Sequence, residues 1–203
     1  MFVQTDIADP FYSTRIVAIG DSLTKDTTST NLNGYRGAVS ATLTTLTWLG
    51  SVSSGGSLCE GWPGERIEEI SDRMLLMFRT IPSIGITVSM LGTNNAAQGQ
   101  SGSVAVGHYT DYLDRMVGMS PYTRNIVLST PNTNTGAGPG QACIDAINNA
   151  LPSLCAARPR CTFVDIRPDI AGAVAPYVDT YHLAQSAYTA MAPTIIAAIQ
   201  ALA

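Results

Sequence analysis

The chain predicts an α/β fold, a three-layer αβα sandwich built on a mostly parallel five-stranded sheet, and three observations carry that prediction. Short runs rich in aliphatic and β-branched residues recur along the sequence. They alternate with longer stretches of helical spacing, and strands alternating with helices need crossover connections, which make the strands parallel. Finally, 45% of the 203 residues are hydrophobic and only 13% are charged, enough for one substantial core shared between layers.

The strands are expected at residues 16–19, 49–52, 84–91, 125–129 and 162–165. Helical spacing between them places Val39, Leu43 and Leu46 on one face of 34–48, and Ile67, Ile70, Met74, Leu75 and Phe78 on one face of 65–78. The stretches 104–119, 142–156 and 184–202 follow the same logic. Such a sheet, covered by helices on both faces, is flavodoxin-like in arrangement. Residues 1–203 read as a single domain without internal repeats. The Gly/Asn/Thr/Pro-rich segment 130–140 and the segment 94–103 read as loops, the latter flexible, both at the sheet's carboxyl edge.

Charge and composition exclude several functions. A net charge of −4 disfavours nucleic acid, whose phosphates require a basic face. No apolar run approaches the roughly 20 residues that span a bilayer, so no membrane partner is expected. The first 14 residues lack the basic start and apolar stretch of a leader peptide. A secreted or extracellular location is nevertheless the expectation, with any leader already removed. The four cysteines are Cys59, Cys143, Cys155 and Cys161. Cys155 and Cys161 flank a short Arg-Pro loop, and both a bridged and a reduced pair are open. Zinc is disfavoured, because paired Cys-x-x-Cys spacing is absent and histidine is scarce.

The chemistry is best read from Gly20-Asp21-Ser22-Leu23, which directly follows the first apolar run. A strand ending in a tight turn presents a serine hydroxyl at the carboxyl edge of an open sheet, where such folds place their ligands. Serine is a weak nucleophile and needs a base, and the base needs an orienting acid. Asp179-Thr180-Tyr181-His182 supplies both, three residues apart, in a turn before an apolar helical stretch. His108, the other histidine, has no acid at comparable spacing and reads as structural or solvent-facing. An acyl-transfer site also needs donors for an oxyanion. Asn94 follows the strongest apolar strand and lands on the same edge as Ser22. Gly64 lies just before a helix, where backbone N–H groups lack acceptors. Asp21 reads either as an orienter of the serine turn or as a local cap.

These pieces, in this order, resemble the SGNH (GDSL-type) hydrolase superfamily. Gly20-Asp21-Ser22-Leu23 is similar to its first block, Gly64 to the second block's glycine, Gly92-Thr93-Asn94-Asn95 to the third block and Asp179-x-x-His182 to the fifth. Gly34-Tyr35-Arg36, Leu49-Gly50-Ser51 and Glu60-Gly61-Trp62-Pro63-Gly64 with Ile67 further resemble the family 3 carbohydrate esterases, which include acetylxylan esterases. The resemblance implies a catalytic triad of Ser22, Asp179 and His182. It also implies an oxyanion hole made by the N–H groups of Ser22 and Gly64 with the Asn94 amide. Departures are Asn95 for the usual aspartate, Trp62 for histidine, Leu183 for proline and Ala187 for glycine. Asn95 is expected to alter the support of its loop and not the chemistry.

The expected activity is hydrolysis of short-chain, acetyl-type esters, with carbohydrate deacetylation ahead of a general short-chain carboxylesterase or thioesterase. No metal or cofactor is required by this chemistry. The substrate is a small-molecule or polysaccharide ester, and the oligomeric state is open. Trp62 and Tyr35 are candidates to stack on a sugar ring, and an ion pair between Glu60 and Arg36 is an expectation carried by the family likeness. A lipase is disfavoured by the lack of a long apolar lid, and an α/β-hydrolase by the lack of Gly-x-Ser-x-Gly. A non-catalytic carbohydrate-binding module on the same fold remains a competing class. A nucleotide binder would need a glycine-rich phosphate loop after the first strand, where only one glycine stands.

Overall fold

The structure, a computed structural model, describes residues 14–81 and 83–202; the leader reading of the first 14 residues falls, but for Thr14, outside them. Seven strands form one sheet: β1 (Arg15–Gly20), β2 (Thr47–Leu49), β3 (Val52–Ser54), β4 (Ser57–Gly61), β5 (Ile86–Met90), β6 (Arg124–Leu128) and β7 (Cys161–Val164). Their order is β3-β4-β1-β5-β6-β7, with β2 also on β1. β2 pairs parallel with Arg15–Val17 of β1, and β4 pairs parallel with Ile19 and Gly20. Two short strands thus share the place of one beside β1. The parallel sheet has five positions, in the doubly wound order that places a switch point between β1 and β5.

The expected α/β sandwich is present, but the second strand is not a single run at 49–52. Gly50 and Ser51 interrupt it, and β3 folds back antiparallel on β4 through Gly55-Gly56. Two adjacent glycines with positive φ make this hairpin tight, and its strands are too short for a periodic signal.

The helices are α1 (Ser22–Lys25), α2 (Gly34–Thr42), α3 (Ile67–Thr80), α4 (Thr93–Ala97), α5 (Gly102–Met119), α6 (Pro139–Ala156), α7 (Arg167–Gly172) and α8 (Gln185–Gln200). Alternation along β1 divides the core. Ile16 and Ala18 face one side with Tyr35 and Val39 of α2 and Tyr188, Met191 and Ile195 of α8. Val17 and Ile19 face the other side with Ile70 and Met74 of α3, Tyr109 and Leu113 of α5 and Ile144 and Ile147 of α6. Period two on a sheet buried on both faces produces this split.

Helix α2 stops at Thr42, well short of residue 48. Leu43 N–H closes its last turn on the Val39 carbonyl at 2.8 Å, and the following Thr44-Thr45-Leu46-Thr47 is poor in helix formers. Leu43 and Leu46 still pack on the core, from irregular backbone. The segment 94–103, expected as a flexible loop, begins in α4 and ends in α5. The four cysteines are free thiols, so Cys155 and Cys161 are not bridged.

Candidate active site

The switch point lies at the carboxyl ends of β1 and β5, and Ser22 and Asn94 follow those two strands. β1 ends at Gly20, where any Cβ would lie 2.5 Å from the Met90 carbonyl oxygen of β5. Asp21 Oδ1 accepts the Leu23 N–H at 2.9 Å and caps α1. Ser22 takes the first helical position, where the N–H has no intrahelical acceptor. Its side chain is largely buried at 8% exposure.

The loop 176–183 carries the other half of the arrangement. Its neck is closed by an antiparallel bridge between Tyr177 and Leu183 and by Val178 N–H on the His182 carbonyl at 2.9 Å. Asp179 Oδ1 accepts the N–H groups of Tyr181 at 2.8 Å and His182 at 2.7 Å. Its Oδ2 lies 2.7 Å from His182 Nδ1. A carboxylate only accepts, so Nδ1 carries the proton and Nε2 is left as an acceptor. Nε2 is 3.1 Å from Ser22 Oγ, a hydrogen bond donated by the serine. Two tethers register these distant segments: Thr28 Oγ1 donates to the Leu183 carbonyl at 3.0 Å, and Tyr188 Oη to the Leu23 carbonyl at 2.9 Å.

Electrostatics suit the line. Partial burial pushes the Asp179 carboxyl up, but the N–H groups of His182 and Tyr181 and the imidazole outweigh it and hold the group below its ordinary value. It is charged at neutral pH and holds the imidazole in place. Asp21 behaves oppositely. Burial raises it to about 7, against the pull of the Leu23 N–H and the His182 imidazole. Its Oδ2 is buried without a hydrogen-bond partner among the described residues.

Gly64 and Asn94 face the same end. Gly64 has φ +83°, a left-handed conformation that favours glycine, and its N–H has no acceptor among the described residues. Asn94 Nδ2 donates one hydrogen to the Glu65 carbonyl at 2.9 Å, which fixes the amide and leaves its second hydrogen free. Gln98 Nε2 donates to the Gly64 carbonyl at 2.9 Å. Asn95, fully buried, accepts the Ile67 N–H at 3.0 Å and donates to Glu68 at 3.0 Å and to Gln100 at 2.6 Å. The last two partners are acceptors, which is the physical reason an amide stands where the superfamily pattern has aspartate.

Two expectations need correction. Tyr35 is fully buried and packs edge-on to Trp48, ring centroids 6.2 Å apart, so it lies out of reach of any sugar. Its aromatic ring is core volume beneath α2. Glu60 and Arg36 do not pair. Glu60 accepts Ser51 N–H at 2.6 Å and Trp62 Nε1 at 3.1 Å, while the buried Arg36 guanidinium donates to the carbonyls of Thr24 and Lys25 and to Ser57 Oγ. Arg36 thereby holds the turn after Ser22. Trp62 stays half-buried beside Gly64, with the Arg73 guanidinium 4.0 Å over its ring. His108 Nε2 lies 3.7 Å from Glu68 Oε1. Sequence reasoning missed Gln98, Thr28 and the Tyr188 hydroxyl, since each acts through a backbone carbonyl that has no sequence signature.

The fold is an α/β sandwich that holds Ser22, His182 and Asp179 in line at the carboxyl edge of its sheet. The profile of the GDSL-like lipase/acylhydrolase family matches residues 18–190; the chain belongs to that family and is a carboxylic ester hydrolase. No curated protein sequence matches the chain significantly. Among solved structures, the fold is similar to a carbohydrate esterase family 3 protein from Talaromyces cellulolyticus, with 21% identity, TM-score 0.76, and coverage of 93% of this chain and 97% of that one. A family 3 carbohydrate esterase from Clostridium thermocellum shows 20% identity and TM-score 0.76 over 94% and 98% of the two chains. A carbohydrate acetylesterase from Sinorhizobium meliloti shows 14% identity and TM-score 0.74 over 93% and 99%.

Proposed function

We propose that this enzyme is a serine esterase that removes acetyl groups from carbohydrate. The observation that carries the reading is the hydrogen-bonded line from Ser22 Oγ through His182 to Asp179, at 3.1 and 2.7 Å. His182 Nε2 takes the serine proton as Oγ attacks the ester carbonyl carbon. The carbonyl oxygen becomes an oxyanion, held by the N–H groups of Ser22 and Gly64 and the free hydrogen of the Asn94 amide. Asp179 stabilises the imidazolium. The imidazolium gives its proton to the alcohol oxygen as the C–O bond breaks, leaving an acetyl-serine. Water then attacks that acyl group, its proton passing to His182 and on to Ser22 Oγ as acetate leaves.

Support for a carbohydrate alcohol comes from the fold likeness to carbohydrate esterases and from an open site, the Asp179 side chain being 54% exposed. A bulky alcohol fits such a site better than a long acyl chain, which needs a deep apolar channel. The test compares wild type with Ser22→Ala on chromogenic esters of increasing acyl length and on acetylated xylan. Acetate release from xylan, a short-acyl optimum and loss of on the order of 10⁴-fold or more in kcat for the variant are expected. Equal rates for the two proteins would sink the serine mechanism, and a long-acyl optimum would sink the deacetylase.

A further inference from the structure

A second cleft, outside the Ser22 line, has a volume of about 440 Å³, within the roughly 300–1,000 Å³ of small-molecule sites. It lies between the β6–α6 loop, helix α7 and the start of the loop 176–183. From this arrangement we infer that the cleft is a sugar subsite, which takes uncharged pyranose units of the substrate beyond the one that carries the ester. The inference rests on the carbohydrate reading above and extends it to a surface that reading does not use.

The lining has the chemistry of sugar recognition. Buried Ile170 and half-buried Tyr177 supply an apolar floor, suited to the C–H face of a pyranose. The Tyr177 hydroxyl donates to the Asn132 carbonyl at 2.8 Å, so the ring is held before any ligand arrives. Exposed Asn134 and Thr135 stand at the rim, and their side chains make no hydrogen bond among the described residues. An amide and a hydroxyl of this kind match sugar hydroxyls, which both donate and accept. The one cation in the lining, Arg167, is neutralised by a two-pronged pair with Asp165, at 2.8 and 2.7 Å. That pairing disfavours an anionic ligand.

The cleft is tied to the Ser22 line through backbone. Asn134 N–H donates to the Thr180 carbonyl at 2.9 Å, and Thr180 follows Asp179 directly. Tyr177 is one side of the bridge that closes the same loop. A polymer seated in the cleft therefore rests on the loop that presents His182.

The test uses sugars without esters, so it reads binding and not chemistry. Xylotetraose and cellotetraose are titrated into wild type, Ala171→Trp and Asn134→Ser, and followed by amide chemical shifts and calorimetry. Ala171 is exposed on α7 and lines the cleft, so the tryptophan fills the space from the solvent side. Expected are shifts centred on residues 134–136, 171 and 177 with at least one of the two sugars, and a Kd weakened at least tenfold in Ala171→Trp and severalfold in Asn134→Ser. Absence of shifts there with both sugars overturns the subsite, as does binding untouched by both folded variants. Acetate release from acetylated xylan is measured beside it: release without binding at the cleft defeats the subsite alone, whereas binding without release defeats the deacetylase reading and leaves the subsite standing.

Discussion

Gln98 Nε2 lies 2.9 Å from the carbonyl oxygen of Gly64. With Asn94 on the Glu65 carbonyl at 2.9 Å, two amides from around one short helix clamp consecutive peptides of the loop before α3. Gln98 thus fixes the Gly64–Glu65 peptide, the unit next to the one that carries the Gly64 N–H. Asn94→Ala is expected to lower kcat by on the order of 10²–10³-fold, as for other lost oxyanion donors. Gln98→Ala should cost kcat about tenfold with KM little changed, because a misaligned donor affects the transition state more than substrate docking. Steady-state kinetics on a chromogenic acetate reads both. A Gln98→Ala enzyme altered only in KM contradicts the clamp.

Asp179→Asn should retain the loop, since an amide oxygen still accepts the N–H groups of Tyr181 and His182. It loses the charge that steadies the imidazolium and can favour the wrong tautomer. A fall in kcat of on the order of 10⁴-fold is expected with an unchanged melting temperature. Wild-type-like turnover would remove Asp179 from the mechanism.

Two glycines should fail in different ways. Gly20→Ala drives a Cβ against the Met90 carbonyl at 2.5 Å and the Thr24 side chain, deep in the sheet. The cost is on the order of 3 kcal/mol of stability. Gly64→Ala meets no atom within 4 Å but must hold φ +83°. Its stability cost is about 1 kcal/mol, while the reoriented N–H should lower kcat roughly tenfold. Urea unfolding and kinetics together separate the cases.

Asp21 makes stability depend on pH in an unusual direction. Its folded carboxyl is raised to about 7, whereas the unfolded value is about 3.9. Between these values the unfolded chain has released the proton and the folded chain keeps it. Stability from this group is therefore full below about pH 4 and is lost as pH rises toward 7. Asp21→Asn removes that slope, so the variant should gain on wild type between pH 4 and pH 8 by on the order of 4 kcal/mol. Urea midpoints at the two pH values test it, and a constant difference between the proteins would contradict the buried, protonated carboxyl.

The candidate site was legible where chemistry needs particular side chains near each other in sequence. Asp179 and His182 lie three apart because one turn has to join carboxylate and imidazole, and Ser22 follows a strand because the sheet edge presents it. Tyr35 was misread for a related reason: an aromatic residue beside a motif looks the same whether it faces a ligand or the core, and here α2 turns it inward to 0% exposure. Trp62, two residues before Gly64, kept a partly open ring but took Arg73 and Glu60 as partners.

By itself the sequence determined the alternation of strands and helices, the α/β sandwich that follows from it, and the candidate residues Ser22, Asp179 and His182 with their order along the chain. Hydrophobic period and short-range turn chemistry are local properties, so they survive as pattern. The tertiary structure alone decided that β2 and β4 share one place beside β1, that Arg36 serves carbonyls instead of Glu60, and that Gln98 holds the Gly64 peptide. It also brought Ser22 within 3.1 Å of His182 across 160 residues. These relations depend on which backbone groups are left unpaired once the layers pack, and only the folded chain settles that.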